Sequence, residues 1–222
     1  ASAIESIDLN EKNLVQMYES LSKVAEKKDN TIVKISAVTT DTDWFNNTLQ
    51  NESSCSGIII AKSGDSLIVL APNMEKESGI KVAFFDGSNQ EATVIGSDGL
   101  TNLMILSVDT SSMEEKIKDI EPVVLGNSYQ LKKGAFILAV GSPVGVSRSI
   151  DIGNITVIDK NASFFDGYGR VIYCDKHLDS VGTFLLDTSG NLVGVVSNLD
   201  ESSSISMAYG ISDLKVLIEN MT

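Results

Sequence analysis

From residue 31 to residue 211, short runs of β-branched and aliphatic residues follow one another with turn signals between them. The first runs span residues 31–38, 57–62, 66–70, 80–85, 90–96 and 102–108. About six short strands at this spacing are typical of a closed or nearly closed barrel. No helical pattern alternates with these runs, so a parallel sheet built from βαβ units is disfavoured.

A second set of runs follows a polar, mildly helical connector at residues 109–120. Its strands are predicted at residues 123–125, 135–141, 149–157, 171–174, 183–186, 191–197 and 206–211. Helical spacing of apolar residues occurs before and after the strands, at residues 11–28 and 212–221. The predicted order is helix, barrel, linker, barrel, helix, with domain limits at 1–30, 31–112, 113–212 and 213–222.

The charge and the chemically reactive residues exclude several classes of function. A net charge of −13 repels phosphate, so we expect neither a nucleic-acid partner nor direct membrane contact from this domain. Cys55 and Cys174 form no metal or redox motif, and we expect two unpaired, buried thiols, although a disulfide stays open. His177 is the single histidine, so no metal site is expected, and no cofactor motif is present.

Nine motifs in a fixed order cover residues 31–212. They include Cys55-Ser56-Gly57-Ile58-Ile59-Ile60, Thr101-Asn102-Leu103, and Gly141-Ser142-Pro143-Val144-Gly145. Together they resemble the HtrA/DegP branch of the trypsin-like serine proteases. This resemblance implies an all-β fold, a trypsin-like double six-stranded β-barrel with an N-terminal helix and a short C-terminal helix.

The N-terminal helix and residues 43–48 resemble a Gram-positive, membrane-anchored subset of that family. In those proteins a transmembrane helix precedes the domain and a PDZ domain follows it. The resemblance therefore implies an extracytoplasmic, cell-envelope location, an anchor upstream and a peptide or protein partner. Family members often form trimers through N-terminal segments, so a homo-oligomer is a further expectation, although the acidic helix here need not form one.

The family cuts peptides with a serine nucleophile, a histidine base and an aspartate that orients the histidine. By position, the histidine corresponds to Asn73 and the aspartate to Asn102. Counting back nine residues from Gly190 places the serine at Val181, and a slip of one residue places it at Ser180. A carboxamide cannot accept the hydroxyl proton, so the resemblance implies a degenerate triad with no catalytic residues.

The loop Asp179-Ser180-Val181 corresponds to the family's oxyanion loop but lacks its proline and first glycine. A carboxylate there would disfavour a developing oxyanion. His177 lies just ahead of this loop and would have to fold back across it to act as a base. We interpret His177 as a surface or loop residue, with a place in a candidate binding surface.

Two aromatic pairs are further candidates for that binding surface. Trp44 and Phe45 stand in a polar stretch after the first strand, where they either bind a partner or pack against the N-terminal helix. Phe164 and Phe165 precede a later strand, where they either cap the cleft, bind a peptide, or pack inward beside a turn.

These residues predict a catalytically inactive protease homologue that acts as a binding or regulatory scaffold. Two alternatives stay open. One is an active, unconventional serine endopeptidase that uses Ser180, and the other is a structural spacer for a downstream PDZ domain.

Overall fold

The computed structural model describes residues 11–42, 48–74, 79–164, 167–197 and 206–221. The chain begins there with helix α1 (Glu11–Lys27), which confirms the helix expected from the apolar spacing. Leu21 and Ala25 of α1 are buried, and Met17 and Val24 pack against the same core. A 3-10 turn (Asp29–Thr31) leads from this helix into the first strand.

The first barrel contains six antiparallel strands within the described residues. They are β1 (Ile32–Thr42), β2 (Thr48–Ser63), β3 (Ser66–Pro72), β4 (Ile80–Ala83), β5 (Asn89–Asp98) and β6 (Leu103–Asp109). The strand order is β1-β2-β3-β6-β5-β4, and pairing of β1 with β4 closes the barrel. Closure leaves no unpaired sheet edge.

The second barrel repeats this arrangement after the connector, which contains the short helix α2 (Glu115–Lys118). Its six strands in the described residues are β7 (Phe136–Gly141), β8 (Ser149–Phe164), β9 (Gly167–Cys174), β10 (Thr183–Leu186), β11 (Leu192–Val196) and β12 (Met207–Gly210). The order is β10-β11-β12-β9-β8-β7, closed by β10 with β7. Helix α3 (Ile211–Met221) follows β12 without a loop. The predicted trypsin-like double barrel is thus confirmed.

The strand expected at residues 123–125 is wrong. The backbone N–H of Val123 donates to Ile59 in the first barrel, at 2.9 Å, whereas Leu125 makes a single bridge to Leu192 in the second. Because its hydrogen bonds go to two different barrels, this segment pairs with neither as a strand.

Three apolar cores explain why the strand runs are continuous rather than alternating. One core fills each barrel, and a third lies between the barrels and includes residues of α1 and α3. Along β2, Ile58 faces the shared core and Ile59 faces the barrel interior. Since successive side chains point to opposite faces, a strand between two cores is apolar at every position.

The two thiols lie in different cores. Cys55 packs in the first barrel and Cys174 in the second, and both are buried and free, as expected from the sequence. In the described ranges no helix is both long and apolar enough to cross a bilayer.

Candidate functional site

Asn73 and Asn102, which the sequence motifs predict at the positions of the family's base and aspartate, lie side by side at the end of the first barrel. Asn73 follows β3, Asn102 precedes β6, and the backbone N–H of Asn73 donates to the carbonyl of Asn102 at 2.8 Å. The Asn73 side chain is half-buried, and its Oδ1 has no hydrogen-bond partner among the described residues. The Asn102 side chain is exposed, and its φ of 56° lies in the left-handed region that asparagine tolerates.

This pair of carboxamides cannot perform the proton transfer of a protease. An amide has no nitrogen that accepts a proton near neutral pH, and it stays neutral when it is buried. An exposed Asn102 side chain also provides no buried acceptor that could orient a base at position 73.

The segment before β10 contacts β2 through the residue at the expected nucleophile position. Ser56 of β2 donates its backbone N–H to the carbonyl of Val181 at 3.1 Å. Gly182 has a φ of 88°, and a Cβ at this position would lie 2.0 Å from the Ser56 carbonyl oxygen. Only glycine fits there, which matches the glycine that follows the serine in the family motif. The Val181 side chain is 42% exposed.

The N–H groups at the predicted oxyanion-loop positions donate hydrogen bonds within the protein. Such a hole uses the N–H of the nucleophile and that of the residue two positions before it. Here the N–H of Val181 donates to Oδ1 of Asp179 at 3.0 Å, and the N–H of Asp179 donates to the Pro143 carbonyl at 3.0 Å. A carboxylate therefore occupies the position where a negative charge would have to be stabilised.

A cluster of three serines lies beneath this loop, and the sequence did not indicate it. The hydroxyls of Ser56 and Ser142 are 2.7 Å apart and buried, and Ser147 lies 3.2 Å from Ser56. The N–H of Ser142 donates to the Gly182 carbonyl at 3.0 Å. These serines are brought together by the junction of the barrels, so no local sequence signal marks them.

His177 lies on the outside of the segment that leads to the loop. It is exposed, whereas the next residue, Leu178, is buried and donates its N–H to the Ser206 hydroxyl at 2.5 Å. The carboxylate of Asp175 accepts from the N–H of Asn154 at 2.7 Å. In the described part of the chain the imidazole has no hydrogen-bond partner, and the nearby carboxylates bind backbone groups instead.

The aromatic candidates fall largely outside the described residues. Trp44, Phe45 and Phe165 belong to the undescribed positions, and Phe164 is described only as the last backbone position of β8. Of the predicted binding surface, the structure therefore positions the His177 side chain.

The buried cysteines offer no substitute nucleophile. Burial raises the pKa of the Cys55 thiol to about 12, and burial followed by the charge of Asp175 raises the pKa of Cys174 to about 12. A cysteine reacts as its thiolate, so both groups are inert near neutral pH. No cluster of three or more potential metal ligands of the His, Cys, Asp or Glu type occurs among the described residues.

Comparison with known families agrees with the double barrel. The model of the trypsin-like peptidase domain matches residues 55–195, which is more than half of the chain. The chain therefore belongs to the trypsin-like peptidase domain family.

Among curated proteins, the chain is similar to bacterial HtrA and DegP proteases. It is 28% identical over 179 residues to "Serine protease Do-like HtrA" of Bacillus subtilis, covering 75% of this chain and 38% of that protein. It is 22% identical over 169 residues to "Probable periplasmic serine endoprotease DegP-like" of Buchnera aphidicola, covering 75% and 35%. The chain thus spans under two fifths of the length of each of these relatives.

A solved structure shares the fold. "HtrA-type protease AlgW with decapeptide" superposes with a TM-score of 0.72 at 21% identity, covering 90% of this chain and 67% of that chain. At this identity the likeness shows the fold and not the activity.

Proposed function

We propose that this domain is a catalytically inactive member of the trypsin-like family that binds a peptide or protein partner as a scaffold or regulator. The observation that carries the proposal is Asn73, a carboxamide in the position of the general base. A hydroxyl without a base is a poor nucleophile, so the absence of a base disables catalysis regardless of which residue stands at position 180 or 181.

The hydrogen bonding of the loop supports the same conclusion independently. Loss of a single oxyanion donor lowers the rate of acyl transfer by about 10²–10³-fold. In this chain both N–H groups at the corresponding positions, those of Asp179 and Val181, donate to acceptors within the protein.

The requirement for glycine at position 182 supports the alignment without a slip, which assigns Val181 to the nucleophile position. In that alignment Ser180 precedes the nucleophile position, and its carbonyl accepts from the N–H of Gly182 at 2.8 Å in a tight turn. An endopeptidase that uses Ser180 would need this turn to open and would need a base as well.

The cellular location and the class of partner are proposed from what the names of the relatives state. The name of the Buchnera relative describes it as periplasmic, and the name of the AlgW structure includes a decapeptide. We therefore propose an extracytoplasmic location and a peptide or protein partner for this chain as well. A membrane anchor upstream and a PDZ domain downstream are part of the same proposal.

Proteolysis of fluorogenic casein tests the inactive assignment. We expect the wild type and Ser180→Ala to release the same background fluorescence, with trypsin as the positive control. Cleavage by the wild type that disappears in Ser180→Ala would establish the endopeptidase instead.

Binding distinguishes a scaffold from a spacer. The domain, fluorescently labelled, is applied to an array of unrelated peptides, and we expect a subset of the peptides to retain it. Equal background on every peptide would favour a domain that only spaces a PDZ domain from its anchor.

A further inference from the structure

Arg148 has a backbone conformation that its residue type disfavours. It is the last residue of the loop between β7 and β8 (residues 142–148), and its φ is 64°. For a long side chain with a Cβ this left-handed region is strained, and such strain persists only where surrounding contacts hold it.

The contact that holds Arg148 comes from the N-terminal segment. Its Nη2 forms an ion pair with the carboxylate of Asp29, and its Nη1 lies 3.5 Å from the carbonyl of Ile32. Asp29 opens the 3-10 turn that follows α1, so this ion pair joins the end of the helix to a loop more than a hundred residues away.

The same loop also contacts the candidate site. Ser147, next to Arg148, lies with its hydroxyl 3.2 Å from that of Ser56, and Pro143 accepts the N–H of Asp179. A Cβ at Gly145 would lie 3.1 Å from Oδ2 of Asp179. The loop therefore forms a wall against the residues that correspond to the oxyanion loop.

We propose that the Asp29–Arg148 ion pair couples the docked position of α1 to the conformation of the β7–β8 loop, and so to the shape of the candidate site. We call this ion pair the clasp. The proposal rests on the proposed function in that the loop borders the site assigned to partner binding. When α1 is seated, the ion pair holds Arg148 in the strained conformation. When α1 leaves its seat, the ion pair is lost and the loop relaxes.

The ion pair and the backbone strain of Arg148 act in opposite directions, so the loop conformation is sensitive to the position of Asp29. The side chains of Arg148 and Asp29 are 30% and 37% exposed, and an ion pair this exposed stabilises only weakly. The strain of a non-glycine residue at positive φ has the opposite sign and is at least as large. Because this strain favours relaxation, a displacement of Asp29 that breaks the ion pair shifts the population of the loop.

Helix α1 is buried in its second half and exposed in its first half. Leu21 and Ala25 in its second half are buried, whereas Leu14, Val15 and Tyr18 in its first half are 46–51% exposed. The barrels therefore hold the helix at the end that leads to Asp29, and its other end is accessible to whatever pulls on it.

Hydrogen exchange of the loop amides tests the clasp without any ligand. The N–H of Gly145 donates to Ser142 at 3.0 Å and that of Ser149 donates to Val146 at 3.3 Å, so both report on the loop. We expect Asp29→Ala and Arg148→Ala each to speed this exchange roughly two- to fivefold, the range an exposed ion pair can supply. The double variant should exchange no faster than Arg148→Ala.

Two further variants separate the clasp from general destabilisation. Arg148→Gly removes the strain together with the ion pair, so its loop should exchange more slowly than that of Arg148→Ala. Lys176→Ala breaks another exposed ion pair of the second barrel, with Asp151 at 3.7 Å, and should leave the loop amides unchanged. Unchanged exchange in Asp29→Ala, or equal changes in Lys176→Ala, would overturn the clasp.

The coupling between α1 and the β7–β8 loop is tested by displacing α1 from the barrels. Leu21→Asp places a charge in the buried face of the helix and should speed the exchange of the loop in the wild type but not in the Arg148→Ala background. Circular dichroism checks that the barrels stay folded, and the non-disruptive Asp29→Ala carries the test if they do not. If neither Leu21→Asp nor Asp29→Ala changes the hydrogen-exchange rate of the loop amides, the inference is refuted. Cleavage of casein by the wild type would instead refute only the proposed function.

Discussion

Gly182 lets the segment before β10 approach β2 more closely than any other residue type would allow. A Cβ there would overlap the Ser56 carbonyl at 2.0 Å, and the φ of 88° adds backbone strain. We expect Gly182→Ala to lower the free energy of unfolding by about 3 kcal/mol in urea denaturation.

The matched control for this prediction is Gly64→Ala. Gly64 also has positive φ, at 57°, but nothing lies within 4 Å of a Cβ there, so only the strain of about 1 kcal/mol applies. Equal losses of stability in the two variants would mean that the close contact with Ser56 contributes nothing.

The proposed inactive site predicts that the Asp179 carboxylate prevents catalysis even after the three triad residues are introduced. We expect Asn73→His with Asn102→Asp and Val181→Ser to remain inactive on fluorogenic casein, because the Asp179 carboxylate still accepts the hydrogen bond from the backbone N–H of residue 181. Adding Asp179→Gly should raise cleavage by about 10²–10³-fold over the triple variant. A triple variant as active as the quadruple one would show that the loop rearranges freely.

At the level of elements, one half of α1 is docked on the barrels and the other half is not. A leucine-to-alanine substitution in each half compares how much each contributes to stability. Leu21 is 6% exposed and Leu14 is 51% exposed. We expect Leu21→Ala to lower the free energy of unfolding by about 2–4 kcal/mol and Leu14→Ala by less than about 0.5 kcal/mol, measured in urea. Similar small effects of both changes would place the helix off the barrels in solution.

The β4–β5 hairpin and the connector helix α2 meet in an ion pair that depends on pH. The hydroxyl of Ser88, then its N–H, and then Lys116 at 3.0 Å lower the pKa of Asp86 from 3.8 to about 2. A lowered pKa in the folded state means that this stabilisation is complete above the unfolded value near 4 and is lost as the pH falls towards 2.

This pH dependence predicts that the loss of stability at low pH differs between Asp86 variants and the wild type. We expect Asp86→Asn to lose less stability than the wild type between pH 5 and pH 2 in thermal denaturation. Lys116→Ala retains both bonds from Ser88 and should behave more like the wild type. Parallel pH profiles for Asp86→Asn and the wild type would contradict this assignment.

At the scale of the whole molecule, the core between the barrels couples them. It joins Ile58 and Leu70 of the first barrel to Phe184 of the second, and includes Leu214 and Ile218 of α3. A Cβ at Gly96 of β5 would lie 2.4 Å from Met221 Cβ, so α3 starts on the second barrel and ends against the first. The two barrels should therefore unfold together.

This coupling predicts one cooperative transition that a single substitution shifts. Phe184 is fully buried, and Phe184→Ala should lower the free energy of unfolding by about 3–5 kcal/mol while calorimetry still shows one transition. Val216→Ala, at a position 63% exposed on α3, is the control and should change little. Two separated transitions in Phe184→Ala would show that the barrels fold independently.

Local patterns in the sequence were sufficient to predict where most of the helices and strands lie. Apolar runs bounded by turn residues indicated the strands, helical spacing indicated α1 and α3, and the motif order indicated the double barrel. One exception was the segment at residues 123–125, where β-forming residues bond to two barrels instead of one strand. The bounds of three strands were also predicted too short, because β2, β8 and β9 extend beyond the predicted runs 57–62, 149–157 and 171–174. A local pattern reports the preference of a segment but not the partners of its hydrogen bonds.

The sequence by itself determined that a carboxamide stands at position 73 and that the chain contains a single histidine, because both can be read without any coordinates. Only the tertiary structure decided how the remaining groups meet: that Asp179 and Pro143 accept hydrogen bonds from the loop amides, that three distant serines cluster, and that Asp29 forms an ion pair with Arg148. These contacts join residues from separate loops and barrels. Their geometry is set by how the barrels pack and not by the local preferences of either partner.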